Sequence, residues 1–431
     1  MKVKRKVSPT QIVVLGFFLV ILVGAILLKL PLTHNENIDV GFVDALFTST
    51  SAVCVTGLIS IDTADHFNVL GRFIVGLLIQ VGGLGVTSVG AAFILLANKR
   101  LGLSQRVLIK EGLNLSSLNG VVKLVKSVLL MTLCFEGIGM LLSFIVFRQD
   151  YSFFDALGIS AFHSVASFNN AGFDILGNLQ NLMNYRDNVL LNLVTAGLIV
   201  FGGLGFVVIK EIINKRRWHK LSMNTKIVIS VTLGLIVSGT ILLKLSTDIS
   251  WLGAFFHSVS ARTAGFSTYP IGEFTNAALF VLIILMFIGA SPGSTGGGIK
   301  TTTMFTILST IKGVATNTPI TAFKRRIPSE SILKAFVITF LALMTVCVGT
   351  FLISLVEVDY SFLQVLFEVV SGFGTVGLST GITPYLSNIS KLILCVIMFI
   401  GRLGPLSIAC IWSYRMVTSD VNYVEEKITI G

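Results

Sequence analysis

Phe367-Glu-Val-Val-Ser-Gly-Phe-Gly-Thr-Val-Gly377-Leu378 lies between two apolar stretches and has three counterparts upstream. They are Phe47-Thr-Ser-Thr-Ser-Ala-Val-Cys-Val-Thr-Gly57-Leu58, Phe162-His-Ser-Val-Ala-Ser-Phe-Asn-Asn-Ala-Gly172-Phe173 and Phe256-His-Ser-Val-Ser-Ala-Arg-Thr-Ala-Gly265-Phe266. In three of the four segments the phenylalanine precedes the glycine by ten residues, and in the third unit by nine. Each segment is too short and too rich in Ser, Thr and Asn to cross the ~30 Å hydrocarbon core of a bilayer. Its flanks, however, are long enough to cross. Non-helical backbone at membrane depth is tolerated only when it is buried in protein or lines a water-filled cavity. A re-entrant half-helix followed by an extended loop meets that condition.

Working outward, each segment belongs to a repeated unit of helix, pore loop and helix. The first helices are expected at 11–30, 121–147, 226–245 and 332–355, and the second at 69–98, 188–213, 276–311 and 388–416. The repeats divide the chain at 1–115, 116–222, 223–327 and 328–431. The expected fold is therefore an all-α integral membrane protein, with eight transmembrane helices in four tandem repeats around a central pore. Composition agrees: 53% of the 431 residues are hydrophobic and 12% charged, about half the charge of a soluble domain. The basic start Met1-Lys2-Val3-Lys4-Arg5-Lys6 before the first apolar stretch resembles a signal peptide. No small-residue cleavage site follows it, so a retained helix is expected.

The net charge of +11 is concentrated in alternate connectors. Lys99, Arg100, Arg106, Lys110, Lys123 and Lys126 form one group, 210–226 a second, and Lys300, Lys312, Lys324, Arg325, Arg326 and Lys334 a third. This is the positive-inside pattern, and it places both termini in the cytoplasm. It argues against a nucleic-acid surface. The opposite side carries Asp44, Asp62, Asp65, Asp150, Asp155, Asp174, Glu273, Glu357 and Asp359. These either concentrate cations at a mouth or are ordinary solvated loop charges. Cys54, Cys134, Cys347, Cys395 and Cys410 have no metal or disulfide spacing, and most read as buried small hydrophobes. His163 and His257 recur at one position of two units and read as packing residues.

Four extended loops around one axis give a ring of backbone carbonyls, which can replace the hydration shell of potassium. Glycine suits the loop because positive φ costs it little. Thr375-Val376-Gly377 reproduces the start of the potassium-channel filter. Val55-Thr56-Gly57 varies it, and Asn170-Ala171-Gly172 and Thr263-Ala264-Gly265 are looser. A lone tripeptide of this kind is a weak signal. Four at equivalent places form a specific constellation, expected to be an alkali-cation filter.

The second helices repeat as well. Gly82-Gly83-Leu84-Gly85 and Gly202-Gly203-Leu204-Gly205 match, and Gly401-Arg402-Leu403-Gly404 differs at one place. Small residues let membrane helices pack closely, and that is the expected role of the first two. The third unit instead carries Gly289, Ala290, Ser291, Pro292, Gly293, Ser294, Thr295, Gly296, Gly297 and Gly298. Five glycines and a proline cannot sustain a helix there. The expected break lies just beneath the filter, as a movable gate or as a static kink. Arg402 at mid-membrane needs a partner inside the bundle. It either donates to carbonyls of the 289–298 loop, as a barrier to permeation, or pairs with Glu136 or Glu368.

These residues resemble the Trk/Ktr/HKT superfamily of potassium transporters over nearly the whole chain. Gly57, Gly172, Gly265 and Gly377, the 289–298 break and Arg402 carry the resemblance. Eight spans with no extra N-terminal pair look like the bacterial Ktr membrane subunit, of KtrB or KtrD type. The resemblance implies potassium uptake across the plasma membrane, gated by the 289–298 loop and Arg402. It implies a homodimer with one pore per protomer, resting on a cytoplasmic ring of KtrA- or KtrC-type regulatory subunits that bind ATP or ADP. Sodium enters as an activator or a coupling ion, and no covalent cofactor is implied. Gly57, where some plant relatives carry serine, resembles the potassium-selective members.

Other classes fit less well. A voltage sensor would need Arg or Lys at every third position of one helix. A secondary transporter with broken helices leaves the four loops unexplained. An intramembrane enzyme would need HExxH or paired intramembrane carboxylates, neither of which the sequence contains. The Gly-rich tetrads lie inside apolar helices, so they are not phosphate-binding loops.

Overall fold

The computed structural model describes residues 8–96, 102–112 and 119–409. Among these the regular structure is helical apart from one hairpin pairing Thr321–Ala322 with Arg325–Arg326. Four helices are long and apolar enough to cross a membrane: Pro9–Lys29, Val121–Phe147, Met223–Ser246 and Ser329–Val356. These are the outer helices of four units. Each is followed by a short pore helix, Phe42–Val53, Phe153–Phe168, Trp251–Ser260 or Phe362–Gly374.

Polar residues start these helices by satisfying free N–H groups. Ser152, Ser250 and Ser361 cap the pore helices of units two to four. Ser8 and Ser361 form full capping boxes with Gln11 and Gln364. Pore helices dock on outer helices through one repeated contact. Ser49, Ser164 and Ser258 donate to the carbonyls of Ile21, Glu136 and Ile236. Each hydroxyl sits where a Cβ would stand on Gly24, Gly139 or Gly239, three residues further along the outer helix. At the corresponding place unit four has the apolar pair Val369 and Gly349.

The inner helices differ from the sequence expectation. Single helices over 69–98 and 188–213 were expected; the structure has Val69–Leu84 then Val86–Leu96, and Val189–Leu204 then Phe206–Lys215. The bends are 97° and 96°. Unit three breaks between Asn276–Phe287 and Thr301–Ala315, and unit four between Asn388–Leu403 and Pro405–Ala409. The cause is the last glycine of each tetrad. Gly85, Gly205 and Gly404 have φ of 83°, 91° and 87°, a conformation that ends a right-handed helix. The expected span 388–416 runs past residue 409 and so partly outside the described residues. The earlier glycines do serve packing: a Cβ on Gly82, Gly202 or Gly401 would strike the carbonyl of Val53, Phe168 or Phe373 at the pore-helix ends.

The ring closes between units four and one, where Lys391 bonds Asp44 at 2.9 Å. Asp44, expected as a mouth charge or a solvated loop charge, is thus a structural partner. Asp150 accepts from Tyr185 Oη and Asp155 from Ser152, both at the surface. Of the cysteines, Cys54 and Cys395 are buried as expected, whereas Cys134 and Cys347 are exposed. Cys410 lies outside the described residues.

Candidate functional site

The four glycine loops meet at the centre of the bundle. In each, the glycine and the residue two before it are both left-handed. Gly57, Gly172, Gly265 and Gly377 have φ of 87°, 68°, 78° and 92°, and Val55, Asn170, Thr263 and Thr375 have 51°, 59°, 93° and 50°. For β-branched residues this is strained, at roughly 1–3 kcal/mol each. The residue between them is not left-handed, so successive carbonyls turn to one side instead of alternating as in a strand.

Pore helices brace the strain. Thr56 N and Gly57 N bond Ser51 O and Oγ at 2.8 and 3.1 Å. Val376 N and Gly377 N bond Ser371 O and Oγ at 2.9 and 3.0 Å. Ala171 N reaches five residues back to Ala166 O, whereas Ala264 N reaches four back to Ser260 O. The one-residue shortening of unit three is absorbed there, beside the outlying φ of Thr263.

The glycines also fix the loops to one another. A Cβ on Gly57 would strike Ala171 O, on Gly172 Ala264 O, on Gly265 Val376 O, and on Gly377 Thr56 O. Each unit therefore leans on the next in one rotational sense, and the fourth returns to the first.

The loop from Gly289 to Gly298 lies against the lower end of this ring. Gly297 N donates to Thr375 Oγ1 at 2.8 Å, and Gly296 packs on the Thr263 side chain. Ser291 N and Thr295 N donate to Gly203 O and Gly202 O at 3.1 and 3.2 Å, and Gly298 N to Gly401 O at 3.3 Å. A parallel bridge between Ile288 and Ile299 closes the base of the loop. Ala290, Ser291 and Thr295 are fully buried, and Gly293 and Gly298 take φ of 69° and 67°.

Arg402 donates to Thr295 O of that loop and to Gly82 O at the end of the first inner helix. The ion-pair alternative is overturned. Glu136 accepts from Asn169 Nδ2 at 2.9 Å and Gln80 Nε2 at 3.4 Å. Glu368 is spent on Ser379, Thr380 and Thr383 behind the fourth loop. Lys300, counted in the sequence among connector cations, donates Nζ to Gly296 O at 2.7 Å and Gly297 O at 3.3 Å. Its position two residues beyond Gly298 was the available signal. A cavity beneath the loop is lined by Phe17, Gly85, Phe206, Lys300, Arg402 and Ser407.

At the other end of the ring, the upper mouth is lined by Gly57, Asp174, Asn181, Gly265, Gly377 and Tyr385. Asp174 is 7% exposed and accepts from Leu176 N and Asn181 Nδ2, both at 3.0 Å. Burial pushes its carboxyl up to about 7, against the lowering effect of those bonds and with the help of nearby Asp62 and Asp65. His163 and His257 are buried packing residues, bonded to Thr195 Oγ1 at 2.8 Å and to Gly253 O at 2.9 Å.

Comparison with known proteins settles the family. The TrkH model, described as cation transport protein, matches residues 5–243 and 221–420. The chain belongs to the TrkH family. It is 36% identical over 452 residues to the potassium/sodium uptake protein NtpJ of Enterococcus hirae, covering 100% of this chain and 99% of that one. The Ktr system potassium uptake protein D of Bacillus subtilis is also 36% identical, over 100% and 99% of the two chains. The potassium transporter TrkH of Vibrio parahaemolyticus superposes with a TM-score of 0.76 at 18% identity, covering 96% of this chain and 86% of that one. This TrkH-family chain is accordingly a multi-pass membrane transport protein and not an enzyme.

Proposed function

We propose that this TrkH-family chain is the ion-translocating subunit of a Ktr-type potassium uptake system. The observation that carries the reading is the closed ring in which Gly57, Gly172, Gly265 and Gly377 each pack against a carbonyl of the next unit. Four left-handed loops at one axis are costly, and coordination of a dehydrated cation is the chemistry that rewards them. The three residues ending at each of these glycines form the filter.

The 289–298 loop is the gate, and Arg402 and Lys300 hold it shut. Both cations donate to loop carbonyls beneath the ring, where their charge also opposes cation occupancy. The basic connectors support a cytoplasmic side for both termini and the lower cavity, and in this reading the mouth at Asp174 is extracellular. Names of relatives support a partnered system: Bacillus subtilis and Vibrio alginolyticus proteins 35–36% identical are called Ktr system potassium uptake proteins. In this reading the chain forms a homodimer on a ring of ATP- or ADP-binding regulatory subunits, and sodium activates or couples.

The test is potassium or rubidium uptake into proteoliposomes holding the full chain, with sodium as competitor. Saturable uptake that excess sodium fails to suppress is expected. Uptake suppressed equally by both ions, with the regulatory ring present, would overturn the potassium filter. The name of NtpJ, a potassium/sodium uptake protein, favours one second reading, a filter that passes both ions. The same competition measures it.

A further inference from the structure

The ring departs from fourfold symmetry at one filter carbonyl, bonded by an asparagine that lines the upper mouth. Among the described residues, Gly172 O is the filter-glycine carbonyl that accepts a side-chain hydrogen bond, from Asn181 Nδ2 at 3.3 Å. The same nitrogen donates to Asp174 Oδ2 at 3.0 Å. The amide oxygen accepts from Ser267 N at 3.1 Å and Leu182 N at 3.0 Å. With donors and acceptors all engaged, the orientation of this amide is fixed. The backbone is left-handed here, φ 50°, which Asn tolerates better than most residues. Asn181 thus ties the second glycine loop to the third, and it does so through a filter oxygen.

We propose that Asn181 is a specificity-determining residue of the filter, lowering the field strength of one carbonyl in the uppermost layer and so favouring the larger alkali cation. The proposal rests on the potassium-filter reading above. A carbonyl oxygen has two lone pairs, so the bond to Asn181 leaves one for an ion. The positive end of the N–H dipole reduces the negative potential that the ion meets. Sodium holds its water more tightly than potassium and needs stronger-field oxygens to surrender it, so field strength is one basis of selection between them. Removing the donor strengthens the field and helps sodium more.

Two substitutions isolate the donor. Asn181→Asp keeps an oxygen able to accept from Ser267 N and Leu182 N and removes both N–H groups, but adds charge beside Asp174. The double exchange Asp174→Asn with Asn181→Asp restores the charge and a donor–acceptor pair between the two positions. It still leaves Gly172 O without its donor. Asp174→Asn alone controls for the lost carboxylate.

The experiment measures initial rubidium uptake by the full chain in proteoliposomes across rubidium and sodium concentrations. It reads the rubidium KM, the maximal rate and the sodium inhibition constant. Asn181→Asp and the double exchange are each expected to lower the preference for rubidium over sodium about fivefold, the size of one net hydrogen bond. Maximal rates should stay within about twofold, and Asp174→Asn alone should not reproduce the change in preference. An unchanged preference in the double exchange overturns the assignment. So does a fall in maximal rate and thermal stability without a change in preference, because that is the signature of a merely structural tie. A wild-type protein with no preference overturns the filter reading, and this assignment with it.

Discussion

The guanidinium of Arg402 donates to the carbonyl oxygen of Thr295, so the last inner helix grips the intramembrane loop by its backbone and not through a carboxylate. The same group reaches Gly82 O and, at 3.4 Å, Gly83 O. One side chain therefore joins the broken inner helices of units one, three and four. Carbonyls at a helix C-terminus carry partial negative charge, and the five-donor fork of arginine can address several at once. Those bonds offset the roughly 2.5–3.5 kcal/mol cost of an arginine at membrane depth.

Arg402→Ala is expected to raise resting potassium uptake about tenfold or more, since charge-assisted bonds of this type contribute roughly 1.5–3 kcal/mol each. Arg402→Lys should fall between, because an ammonium cannot span Thr295 O and Gly82 O with a planar fork. Uptake in proteoliposomes without the regulatory partner is the measurement. Unchanged uptake by a folded Arg402→Ala protein would mean that the loop is not held by this side chain.

Lys300→Met should act in the same direction, because it frees Gly296 O and Gly297 O. Both cations grip one ten-residue loop, so their effects should not add. A double variant whose uptake equals that of the stronger single variant is expected. Fully multiplicative effects would place the two residues on separate barriers.

The repeats were legible because the Phe-to-Gly spacing recurs between apolar stretches, and spacing survives in a sequence. The breaks at Gly85, Gly205 and Gly404 were not. Apolar residues resume immediately after each tetrad, and left-handed backbone leaves no mark on hydropathy. Gly82 and Gly202 read correctly as packing positions, whereas the tetrad's last glycine does something else. The bonding of Arg402 was half legible: loop carbonyls were one alternative, but side chains such as Glu136 were the other, and a sequence cannot rank them. Asn181 gave no signal. A loop asparagine nine residues beyond Gly172 becomes notable when the fold brings its amide to that carbonyl.

Gly377→Ser places a Cβ against Thr56 O at a backbone φ of 92°. The loop must shift, and overpacking of this type costs about 1–3 kcal/mol. Potassium preference over sodium should fall about tenfold or more, with a lower melting temperature in detergent. Retained preference in this variant would remove Gly377 from the filter.

Acidification at the upper mouth tests the electrostatics. Asp174 is buried with its carboxyl pushed up to about 7, so it is mostly ionised above that pH and mostly neutral below it. Among the described residues the groups that act on it are Asp62, Asp65, Leu176 N and the Asn181 amide, none of them a cation. Loss of the negative charge lowers the local cation concentration. The potassium KM should therefore rise as the pH outside the vesicle falls from 8 to 6, by about threefold to tenfold for one charge a few ångströms from the pathway. Asp174→Asn should flatten this dependence and hold the KM near its acid value throughout. A pH dependence that survives Asp174→Asn would assign the titration to another group, with Asp62 and Asp65 next to be substituted.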